Sequence, residues 1–350
     1  MSQSFFMLGA LQQIKNTPTF KLNELIDWEQ FEPYLSTLHK RDLSHGGGQE
    51  PYSSLSMFKL VLLGQWHQLS DRRLEEALRV RLDFMVFTGF DVGADMPDES
   101  TICRFRNKLL IDDLATTLFQ KINQQLEKLG LKVNSAHAAL VDATIIQSAA
   151  RPNSSLKVKD IVIEDDTQAQ PSEDTQQPCE TIVTYSADAD ARWLKKGKKS
   201  YFGYRSFVSV EDANGYIETI HVTPANVSES TQFETIVNQL SNVNEVLTDK
   251  GFTSKSNNEL LGQKKMRSGL SKKASRGHPL TPLDKTFNKE IASRRFKVEQ
   301  AFGTLKRLFG MSRARYFGTV KVALQFTLAS IGLNLLKAQR RMEALQERPV

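Results

Sequence analysis

Residues 138–147, AALVDATIIQ, limit the fold more than any other stretch of the 350-residue chain. Alternate residues of a strand share a face, so Leu140, Asp142, Thr144 and Ile146 point one way and Val141, Ala143 and Ile145 the other. A strand that is apolar on both faces must be covered on both, which puts it in the middle of a sheet layered between helices. Asp142 interrupts it. A carboxylate there is costly unless a hydrogen-bond donor or a positive charge compensates it. An aspartate bonded to a backbone amide and a functional acid both satisfy that condition.

The pattern around this strand divides the chain. Up to about residue 130 the spacing is helical: Leu55, Phe58, Leu62 and Leu63 recur on one face, as do Leu74, Ala77, Leu78 and Leu82 after a cap at Ser70. A third helix is expected to start near Asp98 and a fourth to run from about Asp112 to Leu129, stopped by Gly130. Beyond residue 130 the period changes to two. Residues 201–211 and 216–224 read as strands joined by an Asn214-Gly215 turn, followed by a helix from about Glu229 to Leu240 and a short strand at Glu245 to Leu247. Long helices are expected from about Lys285 to Phe309 and from about Val320 to Glu343. The expected fold is therefore α+β: a helical domain over 1–130, then a mixed sheet flanked by helices over 131–350.

Two segments stand out by charge. Residues 160–190 hold nine acidic and no basic residues among Gln, Ser, Thr and Pro, and are expected to form a flexible loop. Residues 264–276 carry Lys264, Lys265, Arg267, Lys272, Lys273 and Arg276 among Gly and Ser, and are expected to form a basic loop. From residue 251 to the end there are 21 Lys and Arg against 6 Asp and Glu, a net of +15, although the whole chain carries only +6. Clustered cations of this kind suit a polyanion, because binding releases its counterions. With 40% hydrophobic and 25% charged residues, collagen-like, wholly disordered and disulfide-scaffold classes are excluded. Cys103 and Cys179 are too few for a disulfide framework or a cysteine-rich zinc site, and the six histidines show no ligand spacing. Met1 to Ala10 lacks the basic start of a signal peptide, and Val322 to Leu336 is short and interrupted by Gln325, Ser330 and Asn334. A cytoplasmic protein with no membrane partner is expected.

Two further acids could act with Asp142. Asp249 sits at the end of the short strand before Lys250-Gly251, at the carboxyl edge where ligands of α/β sheets gather; a turn aspartate is the alternative. Glu299 lies on the helix RFKVEQAFGTLKRLFG, where Val298, Phe302, Leu305 and Phe309 form an apolar stripe and Arg295, Glu299 and Lys306 lie along its flank. An i, i−4 surface salt bridge to Arg295 is the other reading of Glu299. Three carboxylates from two strands and a helix can hold two divalent metals, with Arg295 and Lys306 placed to meet phosphates.

The words LVDATII (140–146), KKSYFGYR (198–205), VTPANVSES (222–230), TDKGF (248–252) and RFKVEQAFGTLKRLFG (295–310) resemble the DDE transposases of bacterial insertion sequences, in the insertion-sequence-five group. The similarity continues through PYSSLSMFKLVLLGQWHQLSDRRLEEAL (51–78) and PDESTICRFRNKL (97–109) and covers nearly all of residues 50–335. It implies a ribonuclease-H-like catalytic domain behind a DNA-binding helical region, with Asp142, Asp249 and Glu299 as the catalytic, metal-binding triad and Arg295 and Lys306 as associated basic residues. Two positions depart from the family pattern: Ala292 stands where a Tyr is usual, and Val227-Ser228-Glu229 where relatives often have His-Asp after Ala-Asn.

The expected activity is a transposase that binds the terminal repeats of its element, cleaves at the element ends and joins the 3′-hydroxyl to target DNA by two-metal phosphoryl transfer. Mg²⁺ is the expected cofactor, with Mn²⁺ as substitute. The expected partners are double-stranded DNA and a second copy of the chain in the DNA complex, with no small-molecule substrate. The alternatives are a catalytically silent DNA-binding regulator and a metal-dependent nuclease that does not join strands. Among the DNA contacts, Arg104, Arg106 and Lys108 on the third helix are candidates alongside the basic loop; a structural bundle is the competing reading of that helix, because the connection from Gly89 to Asp98 is longer than a helix-turn-helix turn.

Overall fold

A computed structural model describes residues 12–39, 50–162 and 179–347. Helices come first: α1 Pro18–Leu25, α2 Ser54–Trp66, α3 Asp71–Val80, α4 Leu82–Thr88, α5 Glu99–Lys108 and α6 Leu114–Lys128. Their starts are set by side-chain caps: Ser53, Ser70 and Asp98 accept from the backbone N–H of Ser56, Arg73 and Thr101, as short polar side chains do at helix N-termini. The sequence periodicity ran Leu74 to Leu82 as one helix, but the chain extends at Arg81 (φ −100°, ψ 110°) and restarts as α4, which Gly89 ends at φ +82°.

The main sheet follows the switch of period near residue 130. Its strands are β1 Ala138–Gln147, β4 Arg192–Lys196, β5 Lys199–Glu211, β6 Ile217–Pro224, β7 Glu245–Thr248 and β8 Arg267–Leu270. Across the sheet the order is β6-β5-β1-β7-β8, with β5 antiparallel to β1 and β6, and β1, β7 and β8 mutually parallel. β4 shares the outer edge of β5 with β6, pairing with residues 199–203. This is the ribonuclease-H-like strand order. A second, two-stranded sheet pairs β2 Pro152–Val162 with β3 Cys179–Ser186.

Both faces of β1 are covered, as its sequence requires. Leu140, Ile146, Val208 and Leu247 pack under the long helices α9 Pro282–Leu308 and α10 Thr319–Gln346. Val141, Phe207 and Val246 pack against Phe233 and Ile236 of α7 Glu229–Asn238, Phe252, and Leu261 of α8 Lys255–Gln263. The first of these cores is continuous from Leu22 to Ala338, so the N-terminal helices and the sheet share one hydrophobic core. Asn334 of α10 joins them by polar contacts as well: its side chain accepts from Ile217 N–H at 3.0 Å and donates to Asn123 Oδ1 of α6 at 2.8 Å. α10 is long and apolar enough to cross a membrane by length and composition, but 72% of its most apolar stretch is buried inside the protein.

The acidic segment differs from the expected flexible loop. Residues 160–162 and 179–186 are strand, while 163–178 lie outside the described residues. Asp188 is completely buried: it accepts from Ser148 Oγ and Tyr204 Oη, each at 2.5 Å, and from Gly318 N–H at 3.2 Å. Asp190 accepts from Thr319 N–H at 2.7 Å. The two carboxylates thus cap the N-terminus of α10, where the helix dipole favours negative charge. Low apolar content cannot reveal such anchoring, because the donors come from other elements, 16 to 130 positions away. The basic segment was likewise expected as a loop, yet 267–270 form β8, whose small Gly269 lets Leu247 of β7 approach. Asp188→Ala is expected to cost about 2–4 kcal/mol, since it leaves the buried hydroxyls of Ser148 and Tyr204 without their acceptor; chemical denaturation checks this, and unchanged stability would contradict the anchoring role.

Candidate active site

β1 and β7 run parallel, and their last paired residues are Val141 and Thr248. Asp142 and Asp249 therefore follow side by side where β7 ends. Asp142 faces α9, where its Oδ2 accepts from Arg295 Nη2 at 2.7 Å; its Oδ1 accepts from Ala143 N–H at 2.8 Å. Burial pushes the Asp142 carboxyl up to about 6, Arg295 opposes the rise, and the nearby charges of Asp249 and Glu229 add to it. Asp249 starts a turn of helix by accepting from Gly251 N–H at 2.8 Å. The backbone-amide and turn readings of these aspartates are thus realised by the same carboxylates that adjoin each other.

The helix side of the site is fixed by α9. A capping box between Thr281 and Asp284 starts it. Ile291, Val298, Phe302 and Leu305 bury its inner stripe, and Arg294 clamps it to Glu245 at 2.7 Å and Asp212 at 3.4 Å. Arg295 is drawn inward with the stripe and is 8% exposed, so it does not stand open to phosphates as the sequence suggested; its Nε has no hydrogen-bond partner among the described residues. Glu299, one turn further on, is exposed. The structure brings Asp142 and Asp249 together but leaves Glu299 outside their pairing, and among the described residues no three Asp, Glu, His or Cys side chains form a metal-holding group. Lys306 is half-buried; burial lowers its pKa, and the neighbouring Lys196 lowers it further.

Two residues of the site went unnoticed in the sequence. Glu229, the first residue of α7, lies 3.3 Å from Arg205 Nη1 of β5. Burial raises its pKa, and Asp249 raises it further. Gly251 permits this closeness, since a Cβ there would lie 1.7 Å from Glu229 Oε2 and 3.0 Å from Asp249 Oδ1. The available signals were Glu229 in place of the family's usual His-Asp ending and Arg205 within KKSYFGYR, but only folding brings them to Asp249.

Of the helical DNA candidates, Arg104 and Lys108 are exposed, whereas Arg106 is buried. Arg106 forms a two-pronged bond to Asp71, the second prong 2.8 Å long, and its guanidinium stacks 4.4 Å from the Tyr316 ring centroid. It is therefore a structural tie between α5, α3 and the segment after α9, because a desolvated guanidinium is retained only where a carboxylate and a ring face it. All six cations of 264–276 are exposed.

Comparison with known proteins identifies the family. Residues 6–108 match the family described as "Transposase domain (DUF772)" and residues 139–335 match "Transposase DDE domain". A relative from Neisseria meningitidis serogroup B, the transposase for insertion sequence element IS1106, is 40% identical over 241 residues, covering 69% of this chain and 78% of the relative. Among solved structures, a piggyBac transposase synaptic complex with hairpin DNA aligns over 96% of this chain and 78% of its own, at 10% identity and a TM-score of 0.45. The Mos1 mariner paired-end complex with Mn aligns over 97% and 96%, at 11% identity and a TM-score of 0.23.

Two outcomes are expected from this geometry. Arg106→Gln should lower stability by about 2–4 kcal/mol while leaving DNA affinity per folded molecule unchanged; a selective loss of DNA affinity in a filter-binding assay would restore it as a DNA contact. Asp142 should impose a pH slope. Its folded pKa, about 6, exceeds its ordinary value of 3.8, so the folded state holds the proton longer and this contribution to stability is lost as pH rises between the two values. In EDTA, denaturation of the wild type relative to Asp142→Asn should show that loss over this window; parallel curves would contradict it.

Proposed function

The chain belongs to the DDE transposases of bacterial insertion sequences, and we propose that it binds the terminal repeats of its own element, cuts DNA at the element ends and joins the freed 3′-hydroxyl to target DNA. The observation that carries the reading is the pair Asp142 and Asp249, side by side at the carboxyl edge of the parallel strands with Arg295 against Asp142.

Family membership implies a divalent metal, and the adjoining carboxylates of Asp142 and Asp249 are donors that fit one. Carboxylate oxygens are hard donors, and burial, with smaller additions from Asp249 and Glu229, holds the Asp142 carboxyl above its ordinary range, a penalty that a nearby cation offsets. Asp142 and Asp249 would hold the ions, Mg²⁺ or Mn²⁺ in its place, joined by Glu299 once that exposed side chain turns toward them. Bound there, a divalent cation supplies the Lewis acidity that activates a hydroxyl nucleophile and stabilises a phosphate leaving oxygen.

The remaining work falls to the chain itself. Ala143 N–H and the Asp249 turn fix the carboxylates in orientation, so little reorganisation is needed at the moment of reaction. Arg295, freed from Asp142 once that charge has another partner, is one side-chain movement away from a phosphate at the same edge. The exposed Lys264, Lys265, Arg267, Lys272, Lys273 and Arg276 suit backbone contacts, which position DNA without reading its sequence. Joining two ends calls for two copies of the chain on DNA, and the setting is the cytoplasm.

The test is an incubation of protein with labelled terminal-repeat duplex, target plasmid and Mg²⁺. Joined product is expected from the wild type; nicking alone would indicate a nuclease, and binding alone a silent regulator. Asp142→Asn, Asp249→Asn and Glu299→Gln should each lower cleavage by about a thousandfold or more while keeping DNA affinity, because a ligand is removed but the phosphate-binding cations stay. Normal cleavage by any one variant would remove that residue from the site, and full activity in EDTA would end the metal-dependent reading.

A further inference from the structure

The hairpin of β4 and the start of β5 concentrates charge beside the carboxylates. Lys195, Lys196, Lys198 and Lys199 lie within five residues around Gly197, whose φ of +61° makes the turn. All four lysines are exposed, and none is in a salt bridge among the described residues. Trp193, on the same strand, is 51% exposed and leans on Phe202, its register partner, with ring centroids 5.3 Å apart.

Its place in the sheet gives this charge a direction. β4 pairs with residues 199–203 of β5, and Gly203 in turn pairs with Gln147 at the end of β1. The hairpin therefore overhangs the carboxyl end of β1, the same end of the sheet at which Asp249 follows β7. A small cavity of about 140 Å³ lies under the hairpin, with Ala143 and Ile145 of β1, Lys195 and Lys196 of the hairpin, Arg205 and Glu229 in its walls. Lys196 is close enough to act on Glu229 and on Lys306 of α9. A solvated surface has no need to gather unpaired like charges at the rim of an acidic centre, whereas a polyanion that must reach that centre does.

We infer that the β4–β5 hairpin is a DNA-backbone contact surface, in which Lys195, Lys196, Lys198 and Lys199 neutralise phosphates of duplex DNA entering the carboxylate site and Trp193 lies against the bound DNA. This rests on the transposase reading only in requiring that the chain bind DNA.

The test is binding of the full chain to fluorescent duplex DNA over a salt series in EDTA, so that no cleavage intervenes. Each phosphate neutralised contributes about 0.9 to the slope of log K against log salt, so replacing all four lysines by Gln should flatten the slope by up to about 3.6, and replacing all four by Arg should restore it. Tryptophan emission gives an independent reading. Trp28 is buried and Trp66 is packed on Phe309, so quenching by DNA should come from Trp193 and vanish in Trp193→Phe while binding persists. A four-Gln protein with the wild-type melting temperature and an unchanged slope would overturn the hairpin proposal and leave the transposase reading standing. A wild type that binds no duplex would overturn both.

Discussion

The ion pair between Asp142 and Arg295 is the contact on which the site depends. Both partners are largely removed from water, and their mutual attraction repays desolvation only when the geometry is good and the remaining polar atoms are bonded. Here that condition is only partly met: Asp142 still binds a proton more tightly than an ordinary carboxyl, and Arg295 Nε has no partner among the described residues. The pair is thus held by the elements that carry it, the central strand β1 and the docked helix α9, more than by its own strength. In the proposed function the site is ready to exchange Arg295 for a divalent cation only where the released guanidinium meets another anion, such as a phosphate, because a buried charge left unpaired is costly.

That readiness needs a rigid frame, and the frame extends well beyond the sheet. α9 is pressed onto β1 by Val298, Phe302 and Leu305 and clamped at its middle by Arg294. α10 crosses from the sheet into the N-terminal helices, with Asn334 bonded to both. Arg106 and Asp188 are buried ties of the same type, each a charge fixed by donors or acceptors from distant segments. The N-terminal helices therefore brace the edge that carries Asp142 and Asp249, and Arg104 and Lys108 stand exposed on their outer surface.

Much of this could be read before folding. The alternation in 138–147 gave the central strand and the need for helices on both faces, the stripe of α9 gave its docking, and Ser70 and Asp98 marked helix starts that the caps bear out. What escaped was the pairing of distant charges. Nothing local distinguishes Arg106, turned inward to Asp71 and Tyr316, from Arg104, turned outward two residues earlier; helix phase allowed the difference but the partner decided it. An acidic, apolar-poor segment reads as solvated, yet Asp188 and Asp190 are fixed by donors supplied by β5 and the start of α10. Glu229 was legible only as a departure from a family word, because its role is set by Gly251 and Arg205 across the sheet.

The most direct measurement is Mn²⁺ binding to the free protein, followed by the loss of the electron paramagnetic resonance signal of the aqueous ion. If Asp142 and Asp249 exchange Arg295 for a divalent cation, the wild type binds Mn²⁺, binding weakens as pH falls through about 6 where Asp142 takes up its proton, and Asp142→Asn and Asp249→Asn each weaken it at least tenfold. Mn²⁺ binding of equal strength in the wild type and both variants would contradict the assignment of these two aspartates as the metal-holding centre.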